Sequence, residues 1–120
     1  MTSKELQNRT IEFAVRIYKM VPALPQSYYA KTIYSQLLRS ASSIGANYRS
    51  ACRAKSKADF INKIRIVEEE ADETVYWIEL LIRSELVNES KVSSLLNEAK
   101  EITAIFTSIG KTSKLNQRKS

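Results

Sequence analysis

The stretch Ser42–Phe60, SSIGANYRSACRAKSKADF, decides how the chain is read. It holds one of the two glycines, the only cysteine, and four cations (Arg49, Arg53, Lys55, Lys57) ahead of its first acid, Asp59. Such residues would suit a loop that cradles phosphate, but no second glycine stands near Gly45 to build one and no GxxxxGK pattern exists. Ile44, Tyr48 and Ala51 instead keep the three- or four-residue spacing of a helix face. Ser56–Asp59, SKAD, is a helix start, a capping box with Asp in place of Glu. The stretch therefore predicts the end of one helix, a tight turn around Ala54–Lys55, and the start of another. Gly45 costs roughly 1 kcal/mol against Ala inside a helix. Its neighbours in SASSIGA are small, so close approach of a second helix accounts for it, with backbone approach to a ligand as the alternative. Cys52 reads as a small packing residue near a helix end.

Outward from this turn the same period recurs. Leu6, Thr10, Phe13, Ile17 and Val21 form a stripe, with Ala14 and Tyr18 beside it, over a helix from Lys4 to Val21 that ends at Pro22 and Pro25. Tyr29, Ile33, Leu37, Ala41, Ile44, Tyr48 and Ala51 form a second stripe between Ser27 and Arg53. Phe60, Ile64, Val67, Ala71, Thr74/Val75, Ile78 and Leu81 form the third, in a helix expected to end between Ser84 and Leu86. Val92, Leu95, Leu96, Ala99, Ile102, Phe106 and Ile109 form the fourth, capped at Asn88 and expected to stop at Gly110. The fold class is all-α: an antiparallel up-down-up-down four-helix bundle over residues 1–110, followed by a basic flexible tail over 111–120.

The 120 residues suit one domain, and 43% hydrophobic residues supply a core, while two glycines and two prolines are too few for the turns of an all-β fold. The N-terminal residues lack the apolar run of a signal peptide, and no stretch approaches the ~20 apolar residues of a membrane span. With one cysteine and no internal disulfide, the expected address is cytoplasmic. The chain has no histidine, which excludes Ser-His-Asp and Cys-His sites, and a lone cysteine excludes Cys/His zinc sites. No enzyme activity, cofactor or metal is expected. Glu69, Glu70 and Glu73 share a helix face, but a di-metal carboxylate bundle also needs Glu-x-x-His pairs.

Leu37–Leu81 carries a further pattern. Arg39-Ser40-Ala41, Ser43-Ile44, Asn47, Ser56 and Glu73 stand in the order seen in the 23S rRNA intervening-sequence protein family, also called the four-helix bundle protein family, which the whole chain resembles. Tyr48-Arg49-Ser50-Ala51 occupies the place of the family's Ile-Ala-Glu-Gly, and Glu69 and Glu70 replace a Gly-Ser before Glu73. The resemblance implies an antiparallel bundle that assembles as a symmetric homo-oligomer, with a pentamer favoured, and no catalytic residue. It also implies kinship with the accessory variability determinants of diversity-generating retroelements, and hence RNA, DNA or a reverse transcriptase as partners.

Charge supplies the candidate site. Lys31–Arg65 holds eight cations and one acid, a net of +7, whereas Ile66–Glu101 holds ten acids and three cations, a net of −7. Arg49, Arg53, Lys55 and Lys57, joined by Lys111, Lys114, Arg118 and Lys119 from the tail, are candidates for a phosphate-binding patch. The competing reading pairs basic helix two with acidic helix three and leaves a protein-interacting adaptor. Glu73 is expected to form a buried polar pair with Arg39 or with Asn47 that fixes the register of the helices, and Asn47 to hydrogen-bond across helices. Tyr34 and Tyr48 are candidates for subunit contact, with base stacking as the alternative.

Overall fold

Each helix begins where a small polar side chain can take up its free N–H groups. The computed structural model describes residues 1–119, with the side chain of Lys119 outside what is described. It contains α1 (Ser3–Met20), a 3-10 turn (Val21–Ala23), α2 (Tyr28–Ala51), α3 (Lys57–Arg83) and α4 (Glu89–Lys119), and no strand among the described residues. Thr2 opens α1 with a full capping box: its hydroxyl accepts from the Glu5 N–H at 3.1 Å, and Glu5 accepts from the Thr2 N–H at 3.3 Å. Ser27 accepts from the Ala30 N–H at 3.2 Å to open α2, and Ser56 from the Asp59 N–H at 3.1 Å to open α3. Asp59 does not complete the reciprocal half of the box; its carboxylate accepts from the Lys55 N–H at 3.2 Å and so braces the turn itself. Asn88 accepts from the Ser90 N–H at 3.0 Å ahead of α4.

The stops are equally local. Pro22 and Pro25 close α1, and the Tyr34 hydroxyl donates to the Pro25 carbonyl at 2.8 Å, tying the loop to α2. After α3, Glu85 takes φ 59°, the Leu86 N–H reaches the Leu81 carbonyl at 3.1 Å, and the Glu85 N–H reaches that of Ile82 at 3.0 Å. This is a Schellman stop with glutamate where glycine is usual.

Short connections make successive helices antiparallel, in a bundle of 51 × 22 × 22 Å. The α2–α3 and α3–α4 interfaces are the most extensive, and α1 packs on α2 and more lightly on α4. Leu6, Thr10, Phe13, Ile17 and Val21 are all buried, as are Ile64, Val67, Ala71, Thr74, Val75, Ile78 and Leu81 on α3. On α2 the expected stripe is out of phase at its start. Tyr29 is 72% exposed, and Ala30 and Tyr34 are buried in its place. Steps of four residues overshoot the 3.6-residue turn, and the error accumulates backwards from Leu37.

Gly45 sits against α1: a Cβ there would stand 3.0 Å from Thr10 Oγ1 and 3.3 Å from Thr10 Cβ. Gly110 does not stop α4, which runs on to Lys119, so the boundary expected at residue 110 falls inside a helix and 111–119 is helical. Gly110 has no positive φ. It is buried against α3, where a Cβ would meet Glu68 Oε2 at 3.4 Å and Ile64 Cγ2 at 3.7 Å. No proline follows, and the cations beyond it favour a helix C-terminus. No helix among the described residues is long and apolar enough to cross a membrane.

The two glycines should therefore answer alanine substitution with opposite signs. Gly110→Ala meets only ordinary contacts, so the gain in helix propensity should stabilise by up to about 1 kcal/mol. Gly45→Ala should destabilise, because buried Thr10 must move with its helix. Urea denaturation of both variants checks this, and equal shifts would refute the close approach at Gly45.

Candidate nucleic-acid interface

Two arginines engage four acids of α3 and α4, Glu70, Glu73, Glu98 and Glu101. Arg39 on α2 donates from Nη1 to Glu70 at 2.9 Å and from Nη2 to Glu73 at 2.7 Å, while the Trp77 indole donates to Glu73 at 3.3 Å. Arg9 on α1 grips Glu98 through two bonds of 2.9 and 2.7 Å and reaches Glu101 at 3.4 Å. The guanidiniums hold the Glu73 and Glu98 carboxyls below the ordinary glutamate range, and each arginine is pushed up in turn by its carboxylate partner.

The expected contact between Arg39 and Glu73 is thus present, but at the surface, with the Arg39 side chain 48% exposed. Asn47 takes no part: its amide donates to the Ser43 carbonyl at 2.9 Å and hydroxyl at 2.8 Å, within α2. An asparagine beside the core stripe meets its own preceding turn before it can reach another helix. The buried polar pair between α2 and α3 is Ser40 with Thr74, their hydroxyls 2.9 Å apart. Tyr34 and Tyr48, expected at a subunit contact, are only 3% and 5% exposed. Tyr34 is spent on the Pro25 carbonyl, and Tyr48 packs edge-on against Phe106 at 5.1 Å. Burial raises the pKa of both hydroxyls above the ordinary tyrosine value.

Antiparallel order brings the start of α1, the α2–α3 turn and the end of α4 to one end of the bundle. A cleft of about 610 Å³ opens there. Lys55 and Lys57 line it from the turn and the start of α3, and Ser113 and Asn116 line it from α4. Its floor is apolar, with Tyr48 and Ala51 below and Phe60 and Ile61 at the side. Cys52 also lines it, exposed, its sulfur 3.1 Å from the Ser3 hydroxyl. Asp59, the one nearby acid in sequence, is occupied by the Lys55 N–H and by Lys63 at 3.3 Å, and its carboxyl pKa is lowered chiefly by that N–H.

Among the described residues, no carboxylate lies within 4.0 Å of the side-chain nitrogens of Arg49, Arg53, Lys55, Lys57, Lys111, Lys114 or Arg118. The structure brings Lys55 and Lys57 together in the cleft, whereas Lys111, Lys114 and Arg118 stand on the last turns of α4 at the same end of the bundle but do not line it. Arg49 stands apart, on the α1 side, lining a shallow hollow of about 100 Å³ with Gln7 and Ile11. Arg53 is exposed beside the turn and does not line the cleft. The side chain of Lys119 lies outside the described residues. Also among those residues, no group of three or more acids and cysteines is placed to hold a metal ion.

One surface has no counterpart among the sequence candidates. Ile11, Val15 and Tyr18 on α1 are 47%, 38% and 51% exposed and flank a groove of about 400 Å³ floored by Ala14, Gly45 and Ala46. Their spacing of four and three residues is the available signal, hidden by the stronger stripe beside it.

Helix order, capping and packing together define an antiparallel four-helix bundle protein with one basic end. The sequence model of the 23S rRNA-intervening sequence protein family matches residues 3–108, and the chain belongs to that family. It is similar to the crystal structure of a protein of unknown function from the S23 ribosomal protein family of Bacteroides thetaiotaomicron. The two share 42% identity with a TM-score of 0.81, over 92% of this chain and 99% of that one. No curated protein matches the sequence.

The arginine clamps set a pH dependence. Unfolded glutamates titrate near pH ~4.3. Because Glu73 and Glu98 titrate lower when folded, the stability they add is complete above that pH and is lost as pH falls through their folded values. Thermal stability should be level near neutrality and fall below pH ~4.5. Glu98→Gln should flatten that fall more than Glu73→Gln, since Glu98 and Arg9 are 17% and 27% exposed against 32% and 48% for Glu73 and Arg39. Melting curves from pH 3 to 7, unchanged in both variants, would remove the clamps from the stability account.

Proposed function

We propose that the protein is a non-enzymatic, oligomeric bundle that binds nucleic acid through its basic end. The reading rests on one observation: Arg39 and Arg9 take up four acids of α3 and α4, while the side chains of Arg49, Arg53, Lys55, Lys57, Lys111, Lys114 and Arg118, at one end of the bundle, have no ion-pair partner among the described residues. Unpaired cations gathered at one end produce a positive field that attracts phosphate, and binding releases counterions. Membership of the 23S rRNA-intervening sequence family agrees with a nucleic-acid partner. The chain has no histidine to serve as a general base, which supports binding over catalysis. A nucleoprotein partner such as a reverse transcriptase would meet the same end. The adaptor reading, with basic and acidic helices spent on each other, is disfavoured because only Arg39 joins α2 to α3 by an ion pair among the described residues.

Anisotropy of labelled oligonucleotides in a salt series tests this. Affinity should fall linearly with salt on logarithmic axes. Lys55→Glu with Lys57→Glu should weaken binding and reduce the slope by about one for each phosphate that is no longer neutralised. Lys111→Ala with Lys114→Ala should act in the same direction. Substitution is the right test there, because truncation would remove two turns of α4. No binding at low salt would leave the adaptor reading.

Oligomerisation is assigned to the α1 strip in place of Tyr34 and Tyr48. Exposed apolar residues around a groove are unusual on a monomer of this size and suit a second copy of the chain. Ile11→Asp with Val15→Asp should convert the assembly to monomer in sedimentation without lowering helicity. An oligomer that survives both substitutions would move the interface elsewhere.

A further inference from the structure

We infer that the end cleft takes an unpaired nucleotide, so that the nucleic acid bound there is single-stranded; this rests on the nucleic-acid reading above and deepens it. A duplex hides its base faces and offers phosphates along a convex surface, which flat-lying cations satisfy. The basic end is not flat. Between the turn and α4 lies a recess of about 610 Å³, within the range of small-ligand sites. Its side and floor are apolar where a charge-only surface needs nothing apolar. Phe60, partly buried at the first full turn of α3, and Ile61 beside it offer a face for a base. Tyr48 lies under them, locked edge-on against Phe106, so the floor is rigid.

The part of the lining that α4 supplies is polar in a way that suits base edges. Asn116 presents both a donor pair and an acceptor, and Ser113 a hydroxyl that serves as either. Lys55 and Lys57 also line the recess, exposed and with no ion pair to their ammonium groups among the described residues, where a flanking phosphate would lie. A stacking face, edge-reading groups and phosphate-binding cations converge in one recess. An unpaired nucleotide is the occupant that uses all three, as in single-strand binders that combine aromatic faces with a cationic groove. A peptide carboxylate would use the lysines and leave the Phe60 face unused.

The test uses the full chain and labelled oligonucleotides of one sequence: single-stranded RNA, single-stranded DNA and the corresponding DNA duplex, at fixed moderate salt. Both single strands should bind at least about tenfold more tightly than the duplex. Phe60→Leu keeps an apolar side chain of similar size and removes the aromatic face. It should cost the single strands about tenfold and narrow the gap to the duplex. Asn116→Ala, at an exposed position, should also narrow that gap and guards against a Phe60 variant that packs poorly; melting curves confirm folding of both. Equal affinity for single strands and duplex, or an unchanged gap in both variants, would overturn the inference and leave the basic end as a general phosphate surface. Absence of binding to all three probes at low salt would overturn the nucleic-acid reading itself. A preference between the RNA and DNA strands, with both above duplex, would identify the sugar that the cleft favours and uphold the inference.

Discussion

The small side chains of α2 are the constraint on which the bundle depends. On one side Gly45 lets α1 approach until Thr10 Oγ1 stands only 3.0 Å from where a Cβ would be. On the other side Ser40 and Ala41 are fully buried, and Ser40 meets Thr74 of α3 hydroxyl to hydroxyl. Each of these hydroxyls also lies near a carbonyl of its own helix, Ser40 by Leu37 at 3.3 Å and Thr74 by Glu70 at 2.8 Å, so that one hydroxyl donates to its carbonyl and the other to its partner hydroxyl. The pair is therefore satisfied without water, which a buried polar contact requires. A larger residue at either place would open an interface, and the separation of two helices would propagate to the pair beyond.

Close approach also fixes the electrostatics. With α2 and α3 in contact, Arg39 can bridge Glu70 and Glu73 at once, and with α1 near α4, Arg9 can take Glu98 in a two-bonded clasp. The half-exposed Arg39 pairs add little energy each, and the less exposed Arg9–Glu98 clasp adds more. Their larger effect is on the distribution of charge: they quiet the acidic middle of the molecule and leave the excess of cations at one end. The local sums of +7 and −7 along the sequence thus resolve as a partly neutralised waist and a basic tip, not as two helices zipped together by charge.

Much of this was legible in the residues. The stripes on α1, α3 and α4 are strong because apolar residues recur at helical spacing with polar residues between them, and the caps at Ser56 and Asn88 have short-range chemistry. Failures came where one local rule met a tertiary contact. Gly110 has the chemistry of a helix stop, yet its lack of a side chain serves contact with Ile64 and Glu68, and that contact is invisible one-dimensionally. Asn47 looked like a cross-helix donor because sequence shows which face it shares but not that Ser43 is nearer. Tyr34 and Tyr48 looked surplus to the core because a tally of aromatics cannot reveal that Pro25 and Phe106 claim them. The closeness of Lys55 and Lys57 was legible from their spacing, but not the recess that they line.

That recess follows from parity. A chain that reverses three times ends beside its start, and its middle turn lies at that same end. The α2–α3 turn at 52–56 and the last turns of α4 are separated by some sixty residues in sequence, and only an even number of antiparallel helices brings them together. Had α4 stopped at Gly110, Ser113 and Asn116 would be absent as a wall, and Phe60 would face an open surface with two lysines beside it. The continuation of α4 past a glycine, permitted by close packing on α3, is therefore what turns a basic patch into a cleft.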